Sequence, residues 1–166
     1  MSLDYKKHIK IYIDKIIEGI EYHPEKFYIK FHKVIPKLQQ KEFDKLIEQY
    51  TSSIIYNSSD ASAYYNRGLI HHKKSSYKTA LEDFTKAIES DKNFTFAFIA
   101  RGETYIALKN FDQAQEDFQT AIKLNPNNST VYSSLGNINR IQNNFEQSIS
   151  YFNKAIELDA HNESAF

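Results

Sequence analysis

The sequence contains no cysteine, and this absence removes several classes of chemistry. Disulfides, thiolate nucleophiles, zinc fingers and cysteine-ligated iron–sulfur clusters all require that residue. The absence also fits a reducing compartment. The chain opens on Met1-Ser2-Leu3-Asp4, without the basic and apolar regions of a secretory signal. We therefore expect a cytoplasmic protein that uses no cysteine chemistry.

An excess of charge of either sign is also missing. Lys and Arg together number 21, as do Asp and Glu, so the formal net charge is zero. Such a chain lacks the basic field that attracts phosphate backbones or anionic membranes, and we expect no nucleic-acid partner. The longest apolar stretch, from Ile9 to Ile20, is interrupted by charged residues. No segment reaches the roughly 20 apolar residues of a membrane span.

Glycine and proline are scarce, with four and three copies in 166 residues. A protein of many strands needs such residues in its hairpins and turns. The scarcity therefore favours an all-α fold.

The chain repeats itself every 34 residues, beginning with the series Gly68, Gly102 and Gly136. An aromatic residue stands four positions before each of these glycines, which puts ring and glycine on one helical face. Other residue types recur in the same phase: Phe84, Phe118 and Phe152; Ala87, Ala121 and Ala155; Ile88, Ile122 and Ile156. Agreement among so many types over three units indicates a structural repeat.

Each unit has the pattern of two helices joined by a short turn. In the middle unit, apolar residues follow helical spacing on both sides of Lys109-Asn110. The small residues at the repeated Gly and Ala positions allow the two helices to approach closely, while the repeated Phe fills the space beside them.

This combination of aromatic, glycine, alanine and phenylalanine positions resembles the tetratricopeptide repeat (TPR) family, over units 61–94, 95–128 and 129–162. The usual Trp at the fourth position is Tyr or Phe here. The resemblance implies an all-α, right-handed helical solenoid of antiparallel helix pairs. It also implies a non-catalytic module for protein–protein interaction, with a concave groove lined by the first helices.

Outside these units the pattern is weaker. Residues 1–26 contain an amphipathic helix, predicted over 3–22, which we expect to cap the solenoid. Residues 27–60 form a divergent unit in which Glu42 to Tyr56 resembles a second helix, whereas 27–40 is compatible with a short helix, an irregular segment or an extended stretch. Residues 163–166 begin a further unit.

Candidate chemistry is sparse. His71 and His72 are adjacent, so on a helix they point about 100° apart and do not converge on a metal. The carboxylates Glu82, Asp83, Glu116 and Asp117 recur on second helices, where we expect a solvated face. We predict no metal site, no cofactor and no enzymatic activity.

The resemblance places the candidate binding residues on the first helices, in a groove that is apolar in its first two units and polar in its last. The first unit contributes Ser62, Tyr65, Asn66, Leu69 and His72; the second Phe96, Ile99, Ala100, Glu103 and Ile106; the third Thr130, Ser133, Ser134, Asn137 and Arg140. The alternative is that the N-terminal segment covers Phe96, Ile99 and Ile106.

These residues are compatible with two functions. One is an adaptor that binds a protein or peptide partner in its groove, and the other is a structural subunit of a stable assembly. The family's capture of acidic Glu-Glu-Val-Asp chaperone tails is not expected. Asn66 matches the central Asn of that clamp, but Phe96 and Ala100 stand where its Lys and Arg would be.

The third unit has no polar capping helix after it, which leaves Ile149, Phe152 and Ile156 without a neighbour on their outer side. We expect either a fragment of a longer repeat protein or a docking surface, including one for a second copy of the chain.

Overall fold

The computed structural model describes residues 40–163, and the side-chain surroundings of residues 42–160. Seven α-helices and no strand occupy this part of the chain: α1 (Gln40–Tyr56), α2 (Ala61–Lys73), α3 (Tyr77–Ser90), α4 (Thr95–Ala107), α5 (Phe111–Leu124), α6 (Ser129–Ile141) and α7 (Phe145–Glu163). The helix predicted within 1–26, the segment 27–39 and residues 164–166 lie outside the described residues.

The helices form a solenoid. Each packs against the next along the chain, as the pairs α2–α3, α4–α5 and α6–α7, and α2 also contacts α4. This confirms the all-α solenoid of antiparallel helix pairs. Before the first pair, α1 buries Leu46 and Tyr50 and packs on α2.

The turns inside the three helix pairs have the same geometry. Ser75, Lys109 and Asn143 have φ of 58°, 62° and 62°, in the left-handed region. The backbone N–H of each following residue reaches back over the last turn, as from Asn110 to the carbonyl of Tyr105 at 2.8 Å. These bonds satisfy carbonyls that the helix end would leave unpaired, so each first helix stops and the chain reverses.

The repeated glycines bring the two helices of each pair together. A Cβ added to Gly68 would lie 2.7 Å from Cε1 of Phe84, and one on Gly102 would lie 2.9 Å from Cε1 of Phe118. Both rings are fully buried. The close approach predicted from the sequence is therefore confirmed, because even a methyl group would displace the ring.

A buried polar ladder corrects the expectation that Asp83 and Asp117 lie on a solvated face. Asp83 is 3% exposed, and its carboxylate accepts two hydrogen bonds from Arg67, at 3.0 Å from Nε and 2.7 Å from Nη2. Arg67 also donates to Thr51 on the preceding second helix at 3.0 Å. The ladder thus links three helices in succession.

The next unit repeats the ladder one step along. Arg101 donates to Asp117 at 2.8 and 2.7 Å and to Thr85 at 3.1 Å. In the third unit the corresponding residues are Leu135 and Tyr151, so the ladder does not continue. The sequence contains a signal for this ladder: an Arg and an Asp that stand 16 residues apart recur together 34 residues later.

Candidate interaction groove

The first helices α2, α4 and α6 carry the predicted groove residues, and the structure divides these residues by burial. Buried are Tyr65, Asn66, Leu69, Ile99 and Ala100; half-buried are His72, Phe96, Glu103, Ile106, Ser133 and Ser134; exposed are Ser62, Thr130, Asn137 and Arg140. A partner that meets this surface as it stands therefore contacts mainly the second and third groups.

An aromatic cluster explains the burial of Tyr65. Its ring lies 5.0 Å from that of Phe94 and 6.0 Å from that of Phe84, measured between centroids, and Phe94 lies 6.5 Å from Phe96. Such tilted aromatic pairs add to the free energy gained from burial alone. Tyr65 therefore contributes to the packing between units, while Phe96 at the end of the cluster stays half-exposed.

Phe94 was not predicted from the sequence, although the repeat contains a signal for it. The corresponding residues of the neighbouring units, Asp60 and Asn128, cap their helices by accepting hydrogen bonds from the N–H groups of Ala63 and Val131. Phe94 precedes α4 in the same position and makes no side-chain cap. A side-chain cap stabilises a helix by about 1 kcal/mol. An aromatic residue in its place indicates that the packing of the cluster contributes at least as much stability.

His72 joins α2 to α4 through Thr104. The Thr104 hydroxyl donates its proton to the carbonyl of Ala100 at 2.7 Å, so it can only accept from Nδ1 of His72 at 2.8 Å. His72 is thereby held with a proton on Nδ1. Burial, with a smaller effect from Lys73, lowers the pKa of His72, which favours the neutral ring. Thr104 was also missed; it stands where the other units have the buried Ile70 and Ile138.

Asn66 is a groove residue with a buried polar atom that has no hydrogen-bond partner in residues 42–160. The residue is 3% exposed, and its Oδ1 accepts no hydrogen bond there. The corresponding residues of the next two units are Ala100 and Ser134. An amide at this position is therefore peculiar to the first unit.

The polar end of the groove lies on α6. Asn137 and Arg140 are exposed, and Ser133 and Ser134 are half-buried. The repeat thus changes from aromatic and aliphatic groove residues on α2 and α4 to hydrogen-bonding ones on α6. A ligand lying along the three helices would meet both kinds of surface.

The described residues offer little other chemistry. Within residues 42–160, no group of three His, Asp or Glu side chains is placed to hold a metal ion. None of the seven helices is both long and apolar enough to cross a membrane.

Comparison with known proteins identifies the repeat. A tetratricopeptide repeat family model matches residues 61–94 and 96–128, and a second model of the same repeat matches 129–162. These matches cover more than half of the chain, which belongs to the tetratricopeptide repeat family. Repeats of this kind act as scaffolds for protein–protein interaction and are in general non-catalytic.

Solved structures agree in fold. A crystal structure of MamA is 22% identical with a TM-score of 0.69, over 71% of this chain and 69% of that one. MamA from Desulfovibrio magneticus RS-1, from residue 41 to its end, is 19% identical with a TM-score of 0.67, over 84% and 77%. The second TPR of Spaghetti (RPAP3), bound to the HSP90 peptide SRMEEVD, is 20% identical with a TM-score of 0.58, over 61% and 94%. No curated protein matches the sequence.

Proposed function

We propose that the chain is a non-catalytic adaptor that binds a peptide or helix of a partner protein along the groove of α2, α4 and α6. The observation that carries this proposal is the buried Oδ1 of Asn66, which accepts no hydrogen bond in residues 42–160. A buried acceptor without a donor costs about 1–3 kcal/mol. Because this oxygen is buried, a bound segment reaches it by displacing the side chains that cover it, and a backbone or side-chain N–H of that segment then recovers the free energy.

The half-buried apolar residues supply the anchoring surface. Phe96, at the end of the aromatic cluster, and Ile106 lie near opposite ends of α4, and Asn137 and Arg140 on α6 offer hydrogen bonds further along. The matching ligand has apolar side chains at one end and polar groups at the other. Because the net charge is zero, electrostatic steering is weak and affinity depends little on salt.

A structural subunit of a stable assembly is the second candidate function. Large apolar side chains stay exposed on α7, namely Phe145, Ile149 and Ile156, and such surfaces commonly mark contacts with other chains. A pull-down from native lysate separates the two functions. One stoichiometric, salt-resistant partner supports the subunit, and several weak partners support the adaptor.

The groove itself is tested by Asn66→Ala, measured against the partner that the pull-down returns. We expect affinity to fall about 5- to 30-fold, as for the loss of one hydrogen bond, without a loss of thermal stability, because the variant removes an oxygen that accepts no hydrogen bond within residues 42–160. Gln119→Ala, at an exposed position of α5, is the matched control. Unchanged affinity in Asn66→Ala would contradict the proposal.

A second variant tests the anchor. Ile106 is half-buried, so Ile106→Asp should abolish binding while the helical circular-dichroism signal persists. Ile99 is 4% exposed, so Ile99→Asp places a charge in the core and should unfold the chain. Full binding by a folded Ile106→Asp variant would remove α4 from the interface.

A further inference from the structure

One ring nitrogen of His72 has its hydrogen-bonding role fixed by the fold. Thr104 gives its only hydroxyl proton to the carbonyl of Ala100, so Nδ1 of His72 donates to the Thr104 oxygen, 2.8 Å away. In a neutral imidazole the other nitrogen, Nε2, is then an acceptor. His72 is half-buried, and no group within residues 42–160 is hydrogen-bonded to Nε2, which is not fully buried. His72 therefore presents an acceptor that the described part of the chain does not use.

The His72 ring is held from two sides. Thr104 on α4 binds its Nδ1, and Tyr77 on α3 packs edge-on against it with 5.3 Å between the ring centroids. Both neighbours lie on other helices, so the packing of α2 on α3 and α4 sets the direction of Nε2. An acceptor that is in place before binding loses little conformational freedom when a ligand arrives.

This nitrogen lies on the groove side of α2. Asn66, Leu69 and His72 follow one another at spacings of three residues, which places them along one side of the helix. The buried Oδ1 of Asn66 is likewise an acceptor without a donor in residues 42–160. The positions equivalent to His72 in the next two units carry Ile106 and Arg140. The fixed acceptor is therefore peculiar to the first unit.

The surroundings of His72 select an uncharged donor. Lys73 is close enough for its charge to lower the pKa of His72, so it also repels a cationic donor that approaches Nε2. A carboxylate brings only acceptors, which cannot bind a nitrogen lone pair. An amide N–H has neither disadvantage, and a peptide carries one at every residue except proline.

We propose that His72 determines the specificity of the groove, by accepting at Nε2 a hydrogen bond from an uncharged amide N–H of the bound segment. Thr104 is the positioning residue, because its hydroxyl keeps the proton of His72 on Nδ1. The inference rests on the proposed groove function and deepens it, since it names the chemical group that the ligand brings to this end of α2.

Nitrogen-15 spectra of the full chain test the role of Thr104 without any ligand. Protonated and unprotonated ring nitrogens resonate far apart, and at about pH 8 a histidine is neutral. His72, whose signals are identified by their loss in His72→Gln, should carry its proton on Nδ1. Thr104→Val should move the proton towards Nε2, and Thr104→Ser should restore it. A wild-type proton on Nε2 would overturn the proposal, whether or not Thr104→Val folds.

Peptides selected against the full chain from a displayed library of random short sequences test the role of His72. A peptide whose affinity falls in both Asn66→Ala and Ile106→Asp binds in the groove. For such a peptide, His72→Phe should lower affinity about 3- to 10-fold, as for one neutral hydrogen bond. The matched control His71→Phe, at the adjacent half-buried histidine outside the groove positions, should change it by less than about twofold.

The same peptide should shift the Nε2 resonance of His72, and methylation of one peptide amide nitrogen should abolish both the shift and the effect of His72→Phe. A groove-binding peptide that is indifferent to His72→Phe and leaves the Nε2 resonance in place would overturn this inference and leave the proposed function standing. Recovery of peptides that are all indifferent to Asn66→Ala and Ile106→Asp would contradict the proposed function itself, and this inference with it.

Discussion

Arg101 on α4 donates two hydrogen bonds to Asp117 on α5, at 2.8 Å from Nε to Oδ2 and 2.7 Å from Nη2 to Oδ1. Both side chains are largely buried, with 18% and 6% exposure. The pKa of Asp117 is nevertheless raised, because burial disfavours its carboxylate more than Arg101 favours it. The hydrogen bonds to Asp117 raise the pKa of Arg101, so the guanidinium keeps its charge. Breaking the pair therefore leaves a largely buried charge without a partner.

Asp117→Asn should lower the free energy of unfolding by about 1–3 kcal/mol, because Arg101 then keeps its charge in a largely buried position. Glu116→Gln, at an exposed position of the same helix, should change it by less than about 0.5 kcal/mol. Urea unfolding followed by circular dichroism measures both variants. Equal midpoints would show that the ladder is not part of the packing.

Acid should weaken the fold through the two adjacent histidines. Burial lowers the pKa of His71 and of His72 below the ordinary value of 6.5. The unfolded chain then binds protons at a higher pH than the folded chain. Their contribution is complete above about pH 6.5 and declines as the pH falls below it.

Urea midpoints between about pH 8 and 5.5, where most carboxylates stay ionised, measure this effect. The double variant His71→Gln, His72→Gln should show a flatter dependence than the wild type, since glutamine does not titrate and can still donate to Thr104. Parallel curves would mean that neither histidine is responsible.

The turn at Lys109 is a site for stabilisation. Its φ of 62° is unfavourable for a lysine and unstrained for glycine. Lys109→Gly should therefore raise the free energy of unfolding by about 0.5–1 kcal/mol. Asn143→Gly is the matched comparison at the equivalent turn and should give less, because asparagine tolerates this conformation. Thermal melts check both, and an equal or reversed order would contradict the argument.

Acidic chaperone tails should not bind. The groove has Phe96 and Ala100 where the family's clamp has Lys and Arg, and Ala100 is buried. A carboxylate placed there meets apolar atoms, and its desolvation is not offset. Isothermal titration with the peptide SRMEEVD, seen on the second TPR of Spaghetti, should show no heat of binding. A micromolar dissociation constant that Asn66→Ala abolishes would contradict this prediction.

The fold could be predicted from the sequence because the same residue types recur in three units and make the same contacts in each. Gly102 and Phe118, for example, pack together as their spacing indicates. The sequence did not predict the burial of Asp83, because the arginine that pairs with it lies on another helix. Nor did it predict that Tyr65 is buried. The position of a residue within the 34-residue repeat shows on which face of the helix it lies, but not which neighbouring side chains cover it. Phe94, in the loop before α4, and Phe84 on α3 both pack against the Tyr65 ring.

The most direct test of the proposed groove is site-specific photo-crosslinking in native lysate. A benzophenone amino acid at Ile106, on α4, should give one or a few discrete protein adducts. The same group at the exposed Gln119 of α5, outside the groove, should give none. Adducts at 119 and none at 106 would place the interaction surface elsewhere and contradict the account.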